Sequence, residues 1–249
     1  MNDLIKIQLV KATYTYILII SSLCISCESL FNLEGNMVTN TYELSKADRI
    51  IVEGVYNVVF SHDSLNVIEV LAGSKVVEDI KFNYDSSSLT INDHIVFGNF
   101  KNITKPTIII HFTTINTIKI DAACNVSTLV PINLPSLNMS ATGDVAYFDM
   151  EFAGGSFGIY NNRQTNGKYT FRGEVHSCVT SAYASAIYNL EELDAESKIV
   201  ENNSINDIKA GTCAHLKVGI YNRGNIYYSG IPQIDTVALE SSGKLIKVE

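Results

Sequence analysis

The segment Ile118-Lys119-Ile120-Asp121-Ala122-Ala123-Cys124 opens a series of similar segments that continues to Val237-Ala238-Leu239-Glu240-Ser241-Ser242-Gly243. Each segment begins with a triplet whose first and third residues are mostly apolar, and the last residues of successive triplets lie 19 to 21 residues apart. The triplets between these two are Leu137-Asn138-Met139, Phe157-Gly158-Ile159, Cys178-Val179-Thr180, Lys198-Ile199-Val200 and Val218-Gly219-Ile220. A constant period of about 20 residues is typical of a solenoid.

The pattern within each segment is that of a β-strand. Alternation places Ile118 and Ile120 on one face and Lys119 on the other. Lys198 occupies a position that is apolar in most other segments. The next residue on the inward face is small or an amide, as expected at a tight corner: Ala122, Ala141, Asn161, Ala182, Asn202, Asn222 and Ser241.

One such segment buries too little apolar surface to offset the entropy lost in ordering it, so it is stable only when stacked on its neighbours. The sequence therefore predicts an all-β protein, a right-handed parallel β-helix with turns of about 20 residues. The alternative is an antiparallel β-sandwich, whose strands also recur with turns between them.

Residues 114–249 are predicted to form the β-solenoid, continuous with an N-terminal β-layer at 43–113. In this layer, Val52 and Val58 keep the spacing of Ile120 and Val126 and predict an early turn of the solenoid. The remaining apolar, β-branched runs are separated by Gly, Asn, Asp and Ser, which indicates hairpins. Such hairpins would cap the solenoid, because an uncapped end exposes unpaired strand edges.

Residues 1–26 are predicted to be a signal peptide. Lys6 and Lys11 precede a short apolar run that ends in small residues, and the run is too short to span a bilayer. Cys27 follows Ser26, which favours lipidation of Cys27, with residues 27–42 as a lipidated tether. The alternative is ordinary cleavage near Ser26. A lipid would hold the protein on a membrane, predicted to be the outer membrane, with its periplasmic and surface faces both possible.

The charge balance argues against a nucleic-acid partner. The net charge is −8, and without residues 1–26 the chain has 16 basic and 25 acidic residues. Three cysteines remain beyond the predicted signal peptide and Cys27, namely Cys124, Cys178 and Cys213, and their positions force no disulfide.

The residue pattern predicts no catalytic, cofactor-binding or metal-binding residues, and therefore a protein that is not an enzyme. No histidine lies at a sequence spacing from Cys or Asp that is typical of a metal-binding or catalytic site. The histidines are His62, His94, His111, His176 and His215. Asp121, Glu201 and Glu240 share a position in the repeat, but other residues interrupt the series. A carbohydrate-active β-helix enzyme is the third-ranked alternative.

Tyrosines give the best indication of binding. Tyr160 and Tyr221 occupy the same outward position after their triplets, and Tyr183 lies nearby in the same half. Outward aromatic side chains on a rigid sheet suit contact with a glycan or a protein. The alternative is that they are ordinary strand tyrosines.

The sequence resembles the family of exported Bacteroidetes auto-transporter adhesins with a head GIN domain, from about Glu43 onward. The resemblance depends on the segment 49–58, on Ile226-Tyr227-Tyr228-Ser229-Gly230-Ile231-Pro232 and on Ser241-Ser242-Gly243-Lys244. It implies a β-helical fold, a cell-envelope location and an adhesive role, and the family provides no active site to transfer. The leading functional hypothesis is a lipid-anchored adhesin or scaffold, and the alternative is a glycan- or peptide-binding module that uses the tyrosines.

Overall fold

The computed structural model describes residues 34–93 and 104–249, which form twenty β-strands and one short 3-10 helix, Val77–Asp79. The strands are β1 (Met37–Glu43), β2 (Arg49–Val52), β3 (Asn57–His62), β4 (Val67–Gly73), β5 (Lys81–Asp85), β6 (Ser88–Asn92), β7 (Thr107–Phe112), β8 (Thr117–Ile120), β9 (Cys124–Thr128), β10 (Ser136–Ala141), β11 (Val145–Ala153), β12 (Ser156–Asn161), β13 (Asn166–Ala184), β14 (Ile187–Asn189), β15 (Leu193–Ser204), β16 (Ile208–Gly211), β17 (Cys213–Ile220), β18 (Ile226–Tyr228), β19 (Gln233–Leu239) and β20 (Leu245–Lys247).

Two parallel ladders run along the molecule. The first ladder joins, in order, β6, β2, β8, β10, β12, the C-terminal half of β13, β15, β17 and β19. The second joins β7, β3, β9, β11, the N-terminal half of β13, β14, β16, β18 and β20. Because successive turns of the chain pair in parallel in both ladders, the predicted β-solenoid is confirmed. The β-sandwich alternative is wrong.

The N-terminal strands do not stack in chain order. The turn formed by β2 and β3 lies between the turn formed by β6 and β7 and the one formed by β8 and β9. Antiparallel pairs β1–β4, β4–β7 and β5–β6 lie at this end of the solenoid. The buried side chains of these strands join the same core as those of the later turns.

The register between turns differs from the sequence alignment by two residues at two steps, and a one-residue bulge in β19 pairs Val218 with Thr236 rather than with Val237. Met139 pairs with Ile118 rather than with Ile120, and the same two-residue offset separates β15 from β17. Because side chains alternate with period two, an offset of two residues leaves each side chain on its face, so the inward set is unchanged. Leu239 continues the column of Ile220 but is 56% exposed, because no further turn covers β19 in the described chain.

Buried asparagines satisfy the backbone at the corners of the solenoid, as the small-or-amide pattern predicts. Asn202 donates from Nδ2 to the carbonyl oxygens of Asn206 and Asn225 at 3.0 and 3.1 Å, and its Oδ1 accepts from the Ser204 amide at 2.8 Å. Two turns earlier, Asn161 Nδ2 donates in the same way to the carbonyl oxygens of Thr165 and Tyr183, and its Oδ1 accepts from the Tyr183 amide on the next turn. A buried carbonyl without a donor costs about 1–3 kcal/mol, so an amide side chain at a corner stabilises two turns at once.

Aromatic rings stack along the interior of the second ladder. The ring of Tyr169 lies 5.1 Å from that of Phe148 on the preceding turn and 4.5 Å from that of Tyr188 on the following turn. All three side chains are buried. Each ring pair adds about 0.5–1.5 kcal/mol beyond its buried area, which favours in-register stacking of the turns.

Part of the predicted N-terminal organisation is corrected. The predicted tether 27–42 is wrong from Met37 onward, where β1 begins and pairs with β4 along its whole length. Most side chains of β1 are exposed, and only Val38 and Tyr42 are partly buried against the core, so the strand has little apolar periodicity. Its backbone hydrogen bonds to β4 and these two side chains hold it in place. The predicted signal peptide 1–26 and Cys27 lie outside the described residues. Within the described ranges, the chain contains no helix with the length and apolar character needed to cross a membrane.

Candidate binding surface

Tyr160 and Val179 project from the outward side of the first ladder, where they are 52% and 43% exposed. They lie on neighbouring strands, β12 and β13, whose register pairs Tyr160 with Ser181 and Gly158 with Val179. Both strands are paired on their other sides as well, with β10 and β15, so the two side chains protrude from a rigid support. We call the outward side of β10, β12, residues 177–184 of β13 and β15 the Tyr160 surface.

Gly158 lies at the centre of the Tyr160 surface, between Asn138 on β10 and Val179 on β13. Because it has no side chain, it leaves a hollow in a groove of about 250 Å³. We call this groove the Gly158 hollow. Its outward lining residues are all uncharged: Ser136, Asn138, Ser156, Tyr160, Ser177, Val179 and Ser181.

The three tyrosines predicted to form a ligand face lie on two columns of the outward side. Tyr160 pairs with Ser181, whereas Tyr183 pairs with Asn203 and Tyr221 continues that second column. The predicted shared position of Tyr160 and Tyr221 is therefore wrong, and the two-residue offset between β15 and β17 is the reason. Tyr160 is exposed, whereas Tyr183 and Tyr221 are half-buried.

The same tripeptide occurs as Gly158-Ile159-Tyr160 and as Gly219-Ile220-Tyr221, in two different arrangements. In the second copy, a Cβ atom added to the glycine would lie 2.7 Å from Cε2 of Tyr221, so this ring covers its own glycine. In the first copy, no atom of Tyr160 lies within 4 Å of the equivalent point. The hollow over the second glycine is therefore filled by the Tyr221 ring, whereas the Gly158 hollow is open apart from the exposed Asn138 side chain, whose Oδ1 lies 3.0 Å from the equivalent point.

Tyr147 is an exposed tyrosine that the sequence analysis missed. It is 53% exposed on the second ladder and borders a groove of about 260 Å³. The alternation of β11 places it outward, and this signal was available in the sequence. Its groove is charged, because Lys168 lies beside Tyr147 on the next turn and Asp149 pairs with Arg172 at 2.5 Å.

Asp63, His111 and Ser61 form a hydrogen-bonded cluster on the second ladder. Ser61 Oγ donates to Asp63 Oδ2 at 2.7 Å, and His111 Nδ1 lies 2.7 Å from the same oxygen. The pairing of Ser61 with His111 between β3 and β7 brings these residues together. The sequence spacing gave no sign of this pair, because only the stacking of turns joins residues so distant in sequence.

Hydrogen bonds keep Asp63 ionised. Burial acts to raise the pKa of its carboxyl group, but bonds from His111, the Leu65 amide and Ser61 outweigh it and lower the pKa from 3.8 to about 2. The side chain is 31% exposed, so water screens part of this interaction. The cluster therefore contributes to stability above the ordinary pKa of a carboxyl group and loses that contribution in acid.

Replacing Asp63 by asparagine is expected to lower the free energy of unfolding by about 1 kcal/mol at pH 7, discounted for exposure. Because the pKa of the folded state lies below that of the unfolded state, the difference between wild type and variant should shrink as the pH falls from about 5 to about 2. Urea denaturation at pH 7, 5 and 3 measures it, with Asp144→Asn as an exposed control. A difference that is the same at all three pH values would contradict the prediction.

The described residues offer little for catalysis or metal binding. No group of three His, Cys, Asp or Glu side chains in residues 34–93 and 104–249 is arranged to hold a metal ion. Hydrogen bonds from Lys119 and Thr142 lower the pKa of Asp121, so this carboxyl group is a poor proton donor near neutral pH. Cys124, Cys178 and Cys213 are free thiols, and the first two are buried.

These features define a class of protein: a parallel β-solenoid that holds exposed tyrosines on rigid outward sheets. The chain belongs to the family described as "Putative auto-transporter adhesin, head GIN domain", whose model matches residues 47–232. The resemblance identified in the sequence is thereby confirmed.

Solved structures of low sequence identity share the fold. A putative adhesin from Bacteroides fragilis NCTC 9343 superimposes with a TM-score of 0.73 at 15% identity, covering 86% of this chain and 97% of that chain. A putative adhesin from Parabacteroides distasonis ATCC 8503 gives 0.63 at 16% identity, with coverages of 86% and 98%. A putative lipid binding protein from Parabacteroides distasonis ATCC 8503 gives 0.56 at 15% identity, with the same coverages. No curated protein matches the chain.

Proposed function

We propose that this protein is a lipid-anchored adhesin or scaffold of the outer membrane that works by binding and not by catalysis. The observation that supports this function best is the Tyr160 surface, where Tyr160 and Val179 are exposed on strands paired on both sides. Tyrosine is enriched at binding interfaces because it combines a large apolar ring with a hydroxyl group. Membership of an adhesin family supports the same function.

A rigid support lowers the entropic cost of binding at such a surface. Binding orders the groups at an interface, and side chains on a preformed sheet have less freedom to lose than side chains on loops. Stacked turns also place outward residues at intervals of about 4.8 Å, so a repeating ligand or an extended partner can make several contacts. The excess of acidic residues favours partners that are neutral or basic over nucleic acid.

The anchor is tested by replacing Cys27 with serine. Wild type should incorporate a labelled fatty acid and fractionate with membranes, and Cys27→Ser should lose the label and become soluble, because the acyl chains are the proposed means of attachment. Cys24→Ser, three residues earlier, is the matched control and should keep the label. Label retained in Cys27→Ser would refute lipidation at this residue.

Exposure and adhesion are tested on whole cells. Protease added to intact cells should remove the solenoid if it faces outward, and a strain without the protein should attach less to a glycoprotein-coated surface. Restoring the wild-type gene should restore attachment. Attachment that is equal with and without the protein would contradict the adhesive role and leave the scaffold role.

A further inference from the structure

Gly158 occupies the middle of a strand without the bulge, left-handed φ or close backbone contact that would require a glycine there. Glycine weakens a strand interior and usually marks a bulge, a bend or a place where a ligand or another backbone comes close. The register of β12 is continuous on both sides of Gly158, with no bulge. Its φ is not in the left-handed region, and the nearest backbone atom to an added Cβ is the Val179 carbonyl oxygen at 3.9 Å. The one closer atom is Oδ1 of the exposed Asn138 side chain, at 3.0 Å.

At other positions of the same solenoid, the backbone does require a glycine. At Gly155, Gly167 and Gly173, φ is +76°, +148° and +101°, and an added Cβ would lie 1.7 to 2.0 Å from a carbonyl oxygen of the preceding turn. No side chain fits at these positions. Gly158 has neither feature, so the remaining explanation is the space that it leaves on the outward side, beside Tyr160.

The chemistry of the Gly158 hollow fits an uncharged, hydroxyl-rich ligand. Its rim carries serine hydroxyls and the amide of Asn138, and Ser177 Oγ donates to Ser156 Oγ at 2.9 Å, which leaves the Ser156 proton free to donate outward. No lining residue is itself charged, and Glu201 on the neighbouring strand β15 accepts a hydrogen bond from Ser181 Oγ at 2.8 Å, so the one carboxylate bonded to the lining disfavours a polyanion. The volume of about 250 Å³ is below the range of about 300–1,000 Å³ that holds drug-sized ligands, and it suits one ring.

We infer that the Gly158 hollow binds one ring of a neutral glycan, with an apolar face of the sugar against Tyr160 and its hydroxyls on the serines and Asn138. This inference rests on the proposed binding function and names its ligand class. Tyr160 supplies the apolar surface, and Gly158 lets the sugar ring approach the sheet. Tyr221, whose ring covers its own glycine, takes no part.

The experiment uses the purified protein without residues 1–26, on an array of linear tetrasaccharides of glucose, mannose, galactose and N-acetylglucosamine, each also in sulphated form. Calorimetry follows on any glycan that binds. Wild type should bind at least one neutral glycan in preference to its sulphated form. Tyr160→Ala should weaken this binding about tenfold or more, because truncating an aromatic anchor at an interface typically costs that much.

Gly158→Val fills the hollow and should also weaken binding about tenfold or more. A β-branched residue suits a strand, and the Cβ would crowd only the exposed Asn138 side chain, so the variant should fold with an unchanged circular dichroism spectrum. Tyr147→Ala is the matched control, since Tyr147 is equally exposed beside a charged groove, and its affinity should stay within about twofold of wild type.

Three results would overturn the inference: no neutral glycan binds, the sulphated forms bind better, or Tyr160→Ala and Gly158→Val leave the affinity unchanged. Cell attachment measured with Tyr160→Ala distinguishes a failure of the glycan inference from a failure of the proposed adhesin function. Attachment that persists with the variant while neutral glycans fail to bind would leave the adhesin role standing and remove the Gly158 hollow from it.

Discussion

Replacing Gly173 by alanine is expected to lower the free energy of unfolding by about 2–6 kcal/mol, from two separate costs. The residue has φ of +101°, which strains any L-residue with a Cβ by about 1–3 kcal/mol. The added Cβ would also lie 2.0 Å from the Phe152 carbonyl oxygen on the preceding turn. That oxygen belongs to the backbone of a paired strand, so relief requires two turns to separate and costs about 1–3 kcal/mol more.

Gly158→Ala is the matched control, because Gly158 also lies within a ladder strand but has ordinary φ and no backbone atom closer than 3.9 Å to an added Cβ. It should be neutral or stabilising by up to about 1 kcal/mol, since alanine is less flexible than glycine in the unfolded chain. Urea denaturation of wild type and both variants measures the difference. Equal effects of the two substitutions would show that the close approach at Gly173 does not limit the spacing of the turns.

Replacing Lys198 by alanine is expected to destabilise the protein by about 2–4 kcal/mol, because its side chain fills part of the core. Lys198 is fully buried in the column between Cys178 and Leu216. Its Nζ donates to the carbonyl oxygens of Leu190 and Ala210 at 3.2 and 2.5 Å, which offsets the cost of removing the amine from water. Alanine would leave a cavity and remove the donor from both carbonyls.

Lys198→Met separates packing from hydrogen bonding. Methionine keeps the length of the side chain and removes the cost of burying the amine, which offsets the two lost hydrogen bonds, so the loss should stay below about 1.5 kcal/mol at pH 7. Burial lowers the pKa of the Lys198 amine from 10.5. Between the lowered value and 10.5 the unfolded state holds the proton and the folded state does not, so this residue makes wild type more stable as the pH rises.

Denaturation of wild type and Lys198→Met at several pH values from 7 to 10 tests this linkage. The advantage of wild type over Lys198→Met should grow as the pH rises towards 10, because the variant lacks the titrating group while the other lysines are common to both. An advantage that stays constant would show that the amine titrates alike in the folded and unfolded states. A loss in Lys198→Met as large as that in Lys198→Ala would show that hydrogen bonds dominate over packing.

Sequence periodicity predicted the solenoid because every turn has to bury an apolar strand face and form a corner at the same place. Alternation of apolar and polar residues fixed which side chains face inward, and the column of small residues and asparagines marked the corners. Ala141, Asn161, Ala182 and Asn202 lie in that column in the structure, paired turn on turn. The β1 strand was missed because its mostly exposed side chains give little apolar pattern, and it is held chiefly by its pairing with β4.

The candidate site was only partly predictable. Tyr160 was identified from its outward position, but the open Gly158 hollow beside it depends on where the Tyr160 ring lies and on the neighbouring turns. The pairing of Asp63 with His111 depends on the register between β3 and β7. Tyr147 could have been identified from the alternation of β11, since its outward position is local information.

The sequence by itself determined the β-strand pattern, the period of the solenoid, the inward set of side chains and the family, because these follow from residue types at short, regular spacings. Only the tertiary structure decided the register between turns, the place of β2 and β3 between later turns, and the difference between an open glycine at 158 and a covered one at 219. The physical reason is that an offset of two residues preserves the alternation of side chains completely, so only the packing of whole turns against each other can select one register.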